Sequence, residues 1–241
     1  MKNQGIKMLF LVAVMTGSMH LTGCSKDTTE NITLATDESA VGIEKTIAEA
    51  LLVDSCINAL PIESLSTAET EALTTMREEE LLAKDVYVAL YALYNVPVFN
   101  NISKSETQHA SAVGSLLIKY SLPDPALNHV AGVFVNADLQ ALYISLVAQG
   151  STSLISAFTV GATIEDLDIN DLHNHIALDV DNKDILFVFG NLERGSRNHM
   201  RAFNRQLKAQ GVTYTPRFIS QEYFDQIIST PNETGTGVCP N

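Results

Sequence analysis

The sequence predicts an all-α protein built on four long helices, with a long connection between the second and the third. Apolar residues recur at helical spacing through four long segments, and cap residues, glycine or proline mark the ends of these segments. Strand signals are sparse, and the best of them, HVAGVFV at 129–135, is short. Four long helices with one long crossover form a standard helix-bundle topology.

The first residues predict export from the cytoplasm. Lys2 and Lys7 precede the apolar run MLFLVAVM, and the small-residue sequence LTGC follows at 21–24. This order is typical of a secretory signal peptide, here 1–23. LTGC also resembles a bacterial lipobox, which implies that Cys24 becomes the lipidated first residue; an ordinary secretory signal with an incidental cysteine is the alternative. We therefore expect a lipid-anchored envelope protein, in the outer membrane and facing the periplasm or the cell surface.

The helical part of the chain begins after a polar segment. Residues 24–42 lack apolar periodicity and predict a flexible stalk. A short helix is expected at 43–53. STAE at 66–69 is a capping box that opens the first long helix, which runs to Tyr94 before Pro97. The second long helix is predicted from Ile102 to Tyr120.

The second half of the chain continues this pattern after a long connection. Residues 121–152 are expected to contain a short amphipathic helix, NADLQALYISLVAQG, with Asn136 as its cap and Gly150 as its end. The third long helix is predicted from Ser153 to Leu172, followed by a solvated turn that carries His173 and His175. The other predicted elements are a fourth long helix at 182–210 closed by Gly211, a short helix at 220–229 and a tail at 230–241.

Charge and cysteine content narrow the classes of partner and cofactor. The formal net charge is −13, and loss of the two lysines of the signal leaves the mature chain near −15. Such a charge argues against nucleic acid and anionic lipid surfaces as partners, so contact with a bilayer is expected through the anchor alone. Cys56 and Cys239 form an even pair in an oxidising compartment, which predicts a disulfide and excludes a cysteine-rich metal site.

Acidic groups and imidazoles share the apolar faces of the predicted long helices. Taken singly, each acid could reach solvent from the edge of the face, and each histidine could be a hydrogen-bonded residue of the core. Together they predict a metal site, because clustered buried carboxylates are costly unless protons or cations accompany them. In chain order the residues are Glu80, then Glu106 with His109, Glu165 with Asp168, and Ser196 with His199, each pair spaced i and i+3.

The same segments resemble ferritin-like proteins. EELLAKDVY, SETQH and IEDLD are similar to the motifs of the first three helices of rubrerythrins. Over roughly 66–229, the blocks MREEELLAKDVYVALY, NISKSETQHASAV, VGATIEDLDINDL and NLERGSRNHMRAF are similar, in order, to a ferritin-like family of bacteria and archaea that carries a domain-of-unknown-function label.

The resemblance implies a ferritin-like bundle over 43–229 and a dinuclear metal centre. The implied ligands are Glu80, Glu106, His109, Glu165, Asp168 and His199, with Tyr87 and Ser196 beside them. Two departures from the rubrerythrin pattern matter. Ser196 stands where rubrerythrins place a ligand glutamate, and no Cys-x-x-Cys pair is present, so redox turnover would require an external electron donor.

Two functional hypotheses follow from these observations. The first is an envelope lipoprotein with a carboxylate-bridged dinuclear centre that reacts with peroxide or oxygen. Iron is expected in this centre, and manganese and zinc are the alternatives. The second is a non-catalytic lipoprotein that binds metal, senses it or has a structural role. A homodimer is left open as an assembly state.

Overall fold

The part of the chain that the structure describes is entirely helical. The structure is a computed structural model, and residues 53–235 and 239 are described. The predicted signal peptide, Cys24, the stalk and nearly all of the helix expected at 43–53 lie outside these residues. The described residues form seven helices and no strand: α1 over 53–59, α2 Thr67–Tyr94, α3 Pro97–Lys119, α4 Ala137–Gly150, α5 Leu154–Leu178, α6 Lys183–Ala209 and α7 Gln221–Ser229. For these residues the prediction of an all-α fold is confirmed.

The four long helices pack in a ring, in which α2 and α6 each contact both α3 and α5. Two apolar clusters fill the interior, one around Met76 and Phe189 and the other around Tyr87 and Phe203. Along the chain, α2 and α6 pass from the first cluster to the second, whereas α3 and α5 pass from the second to the first. Because α3 and α5 run in the same direction, residues 120–153 return the chain along the length of the helices. This is the predicted crossover, and it contains α4.

Cap residues set the helix starts in the way that the sequence predicts. The Ser66 hydroxyl accepts a hydrogen bond from the Glu69 amide, and the Glu69 carboxylate accepts one from the Ser66 amide. The other oxygen of Glu69 accepts from the Asn182 amide at 3.0 Å, at the start of α6. The Asn136 side chain caps α4 by accepting from two amides of its first turn. One buried carboxylate therefore ties the start of α2 to that of α6.

Two predicted helix boundaries were wrong. Helix α3 begins at Pro97 rather than Ile102. Proline is tolerated at the first helical position because the N–H that it lacks would have no acceptor within the helix there. Helix α5 continues to Leu178, so His173 and His175 lie in its last turns and not in a solvated turn. His175 Nδ1 lies 2.8 Å from the carboxylate of Asp179, one helical turn away, while the His173 side chain is 62% exposed.

The segment with the best strand signal in the sequence, 129–135, forms no strand, in agreement with the all-α prediction. This segment forms turns, and two of its backbone amides donate to acids of α2 instead of to a neighbouring strand. The buried Asp85 accepts from the Gly132 amide at 2.7 Å and lies 2.8 Å from His129 Nε2. The Val135 amide donates to Glu78 at 2.7 Å. Long-range hydrogen bonds thus fix the crossover on the surface of α2.

The C-terminal segment folds back onto the helices. Its Cys239 is bonded to Cys56 of α1, with the two Cα atoms 5.2 Å apart, which is the pairing that the sequence predicts. Before it, the carboxylate of Glu233 accepts hydrogen bonds from Arg197 and Arg201 of α6. Among the described residues, none of the helices combines the length and the apolar character required to cross a membrane.

Candidate metal centre

The centre of the molecule contains acidic groups between the two apolar clusters. Each long helix contributes at least one acidic group or imidazole, at a point where its apolar face would otherwise continue from one cluster to the other. The relative exposures of the residues predicted as ligands are at most 4% for the four carboxylates, and 9% for His199. The residues are Glu80 of α2, Glu106 and His109 of α3, Glu165 and Asp168 of α5, and His199 of α6.

Five of the six predicted ligands form two overlapping groups that share Glu106. In the first group His109 Nδ1 lies 2.7 Å from Glu106 Oε2 and 3.2 Å from Glu80 Oε2. In the second, His199 Nδ1 lies 2.8 Å from Glu106 Oε1 and 3.4 Å from Glu165 Oε2. Within each group the potential ligand atoms all lie within 4.8 Å of one another. Glu106 thus directs one carboxylate oxygen toward each imidazole.

The hydrogen bonding of these groups is incomplete, which is a feature expected of metal ligands. Glu80 Oε1, Glu106 Oε1, Glu165 Oε2 and His199 Nδ1 are buried and have no hydrogen bond of acceptable geometry within the described part of the chain. Buried polar atoms are rarely left in this state. Because carboxylate oxygen and imidazole nitrogen are ligands for divalent metals, both groups fit a cation. The Glu and His groups could therefore hold a metal ion.

Burial makes three of the carboxyl groups reluctant to ionise in the metal-free protein. Burial raises the pKa of Glu80 to about 7, although the nearby His109 opposes the change. It also raises the pKa of Glu165, and the negative charge of Glu106 contributes in the same direction. For Asp168 the pKa is raised well above its usual range by burial and then by repulsion from Glu80 and Glu165. Without a cation, the ionised forms of these groups are therefore disfavoured.

Glu106 and the two imidazoles titrate in the opposite direction. Burial alone would raise the pKa of Glu106, but His199 and His109 outweigh it and lower this pKa far below the usual range. Burial disfavours the His199 imidazolium, yet Glu106 and Glu165 raise its pKa to about 10. Glu80 and Glu106 likewise raise the pKa of His109 well above 6.5. The electrostatics of the metal-free site therefore favour the ionised form of Glu106 and the protonated forms of both imidazoles.

Asp168 and Ser196 lie near the site but belong to neither of the two groups of potential ligands. Asp168 is buried beside the other carboxylates, but its oxygens join neither of the two groups. Ser196 is also buried, and its hydroxyl donates to the carbonyl of Leu192 on its own helix. At position 196 a small side chain therefore replaces the glutamate of rubrerythrins, and it bonds to the backbone instead of to the site.

Other side chains orient the candidate ligands. The buried Tyr87 hydroxyl, predicted to lie beside the site, donates to Glu165 Oε1 at 2.5 Å. Ser105, which the sequence analysis missed, has its hydroxyl 3.0 Å from His199 Nε2. A Cβ atom at Gly195 would lie 2.5 Å from His109 Nε2, so only glycine lets this imidazole pack against α6. Hydrogen bonds and close packing of this kind are typical of the surroundings of metal ligands.

A second acidic pair lies next to the site and was also missed. Burial, and then repulsion from Asp171, raises the pKa of Glu79 to about 8, and Glu79 Oε2 is buried without a hydrogen-bond partner in the described residues. The run REEEL contains Glu79 next to Glu80. Helical spacing, however, directs only one glutamate of the run at the centre of the apolar face, so the burial of Glu79 was not predicted. The acidic region of the core therefore extends from Glu80 toward Asp171.

The fold and the site define an all-helical protein whose long helices bury two linked Glu and His groups able to hold metal. The chain belongs to the family of an uncharacterized protein domain, DUF2202, which matches residues 69–231. It is similar to the uncharacterized protein MJ0754 of Methanocaldococcus jannaschii, with 50% identity over 179 residues, 74% of this chain and 96% of that protein. The crystal structure of hypothetical protein MJ0754, from Methanococcus jannaschii DSM 2661, has a TM-score of 0.71 to this chain, covering 72% of this chain and 99% of that one at 50% identity. The prediction of a family whose function is unknown is confirmed to that extent.

Proposed function

We propose that this protein is a ferritin-like four-helix bundle that binds a dinuclear, carboxylate-bridged metal centre. The shared position of Glu106 supports the proposal, because its two oxygens lie 2.7 and 2.8 Å from the imidazole nitrogens of two different groups. Glu80, His109 and one oxygen of Glu106 would hold the first ion. Glu165, His199 and the other oxygen of Glu106 would hold the second. The ring of antiparallel neighbours and the long crossover are those of ferritin-like bundles.

Charge supports two ions more strongly than one. Four buried carboxylates bring four negative charges, which two divalent cations neutralise while both imidazoles are uncharged. With a single ion, at least one carboxyl group, Asp168 being the nearest candidate, would keep a proton. Oxygen-rich ligands with two imidazoles suit iron or manganese, and zinc is a further alternative.

The activity that we propose is that of an oxidoreductase acting on peroxide or oxygen. Bound iron would supply the one-electron chemistry, and the residues of this chain would position and charge-balance it. Tyr87 holds Glu165 in place, and Ser105 holds His199. The electrons would come from an external donor, since Cys56 and Cys239 are joined to each other. This last observation also supports the second candidate, a protein that binds or senses metal without catalysis.

Metal analysis of anaerobically purified protein tests the centre. Wild-type protein is expected to bind two equivalents of iron, and Glu106→Ala to lose both because each group loses its shared oxygen. Glu71→Ala, which removes an exposed glutamate of α2, is the matched control and should keep two. Full loading of Glu106→Ala, or no saturable binding by wild type, would contradict the proposal. Peroxide added to the reduced, loaded protein then separates the enzyme, which consumes it in repeated turnovers with a donor, from the non-catalytic alternative.

We also propose that the protein is anchored in the cell envelope through a lipid on Cys24. The motif LTGC and the polar segment behind it support this location. Mass spectrometry of the mature N-terminus should show an acylated Cys24, and Cys24→Ser should release the protein from the membrane fraction. An unmodified or uncleaved N-terminus in the wild type would refute the anchor without affecting the metal centre.

A further inference from the structure

A cavity of about 310 Å³ opens beside the two imidazoles of the candidate metal centre. His109 and His199 form part of its wall, together with Gly195 of α6, which lies against the His109 imidazole. Its polar lining includes Arg194 and Asn191 of α6 and Gln108 of α3. The cavity therefore joins the outer edge of the site to a wall that is rich in hydrogen-bond donors.

Arg194 differs from the other arginines that are at least partly buried. Arg77 is paired with Asp124, and both Arg197 and Arg201 are paired with Glu233. Arg194 is half-buried, and its guanidinium has no hydrogen-bond or ion-pair partner anywhere in the described residues. In a chain with 28 acidic and 15 basic residues, a carboxylate partner would be easy to supply. The five donors of this side chain remain available to a ligand.

The carboxylates that share this wall are already engaged. Asp54 accepts a hydrogen bond from Ser115 at 3.0 Å, and Glu233 accepts from two arginines. Gln108 is half-buried, and its side-chain amide, like the guanidinium of Arg194, has no hydrogen-bond partner in the described part of the chain. A cation and a primary amide thus line one cavity with unused donors, which is the arrangement that binds an oxyanion.

We infer that this cavity is a binding site for a small oxyanion, either a carboxylate or a phosphate, with Arg194 as its charged anchor and Gln108 as a second donor. A volume of about 310 Å³ accommodates a molecule of a few non-hydrogen atoms. The position of the anion next to the metal ligands rests on the proposed function, whereas anion binding itself needs no metal. The site would give an anionic molecule a place to bind beside the imidazole side of the centre.

Calorimetric titration of the full chain with sodium acetate and with sodium phosphate, each in metal-free and metal-loaded protein, tests the inference. Saturable binding of one equivalent is expected, and the anion that binds more tightly identifies the carboxylate or the phosphate source. Arg194→Gln should weaken binding about tenfold or more, because a charge-assisted pair of hydrogen bonds is lost. Arg205→Gln, the same change at an exposed position of α6, is the matched control and should leave binding unchanged.

The outcomes separate this inference from the metal proposal. Equal binding by Arg194→Gln and Arg205→Gln, or no saturable binding of either anion in both metal states, overturns the anion site. If metal analysis shows two ions in the same sample, the metal proposal survives that failure. If instead the metal-free protein binds an anion through Arg194 but no iron is bound, the anion site stands and the dinuclear centre fails. Circular dichroism of each variant verifies that it is folded.

Discussion

Two glycines of α6 provide a matched test of how the fold positions the candidate ligands. A Cβ atom at Gly190 would have no atom within 4 Å, whereas a Cβ at Gly195 would lie 2.5 Å from His109 Nε2 and 2.6 Å from its Cε1. Ordinary contact begins at 3.4 Å, so the imidazole would have to withdraw by about 0.9 Å. That movement disturbs its contacts with Glu106 and Glu80, at 2.7 and 3.2 Å.

The two alanine substitutions should therefore change the free energy of unfolding differently. Each gains up to about 1 kcal/mol of helix propensity, and Gly190→Ala should show that gain in chemical denaturation. Gly195→Ala adds an overpacking cost of about 1–3 kcal/mol, so its free energy of unfolding should lie below that of Gly190→Ala by this amount. Iron affinity, measured by competition with a chelator, should fall about 10- to 100-fold in Gly195→Ala only. Equal stability and equal affinity of the two variants would refute the argument that His109 depends on the close approach of α6.

Four further predictions follow from the contacts around the site. Cys239→Ser should lower the free energy of unfolding by about 2–4 kcal/mol in urea denaturation, and reduction should leave the variant unchanged; a variant as stable as the oxidised wild type would contradict this. Hydrogen bonds from Arg197 hold the pKa of Glu233 at about 2, so its stabilising effect is complete above 4.5 and lost as the pH falls toward 2. Glu233→Gln should therefore cost about 1 kcal/mol at pH 6, allowing for solvent screening, and less than half of that at pH 3; a constant cost would exclude the ion pairs as its cause. Tyr87→Phe should destabilise the metal-free protein by about 1–3 kcal/mol, because Glu165 loses a buried donor. If the variant has the same melting temperature as the wild type, this hydrogen bond contributes nothing to stability. The rise in melting temperature on adding iron(II) should be larger at pH 8 than at pH 6, and equal rises would argue against proton competition.

Local rules were enough to predict most helices and the candidate ligands. The capping box of Ser66 and Glu69 requires only residues three apart, and it forms as predicted. The pair Glu106 and His109 depends on the same i and i+3 geometry, and the two side chains do meet, at 2.7 Å. Because helix periodicity decides which side chains face inward, the amino-acid sequence alone predicts which acids are buried together.

The features that sequence reasoning missed depend on contacts between distant residues. The segment 129–135 has strand composition, but Asp85 and Glu78, more than forty residues away, accept hydrogen bonds from its amides and hold it in turns. Pro97 ends one helical pattern and begins the next, a dual role that residue type alone does not distinguish. Arg194 is exceptional only because it has no hydrogen-bond or ion-pair partner among the described residues, and recognising this requires the tertiary structure.

The buried charges of this protein can be balanced either by protons or by cations, and this choice couples stability to metal binding. In the metal-free state Glu80 has its pKa raised to about 7, so the group destabilises the fold progressively as the pH rises from 4.5 through 7. The ion pairs of His199 contribute fully below about 6.5 and are lost as the pH rises through about 10. Both effects weaken the metal-free protein as the pH rises. A cation has to displace the same protons, so its binding becomes stronger over the same range. The acids that most destabilise the metal-free protein at neutral pH are therefore those that would contribute most to the free energy of metal binding.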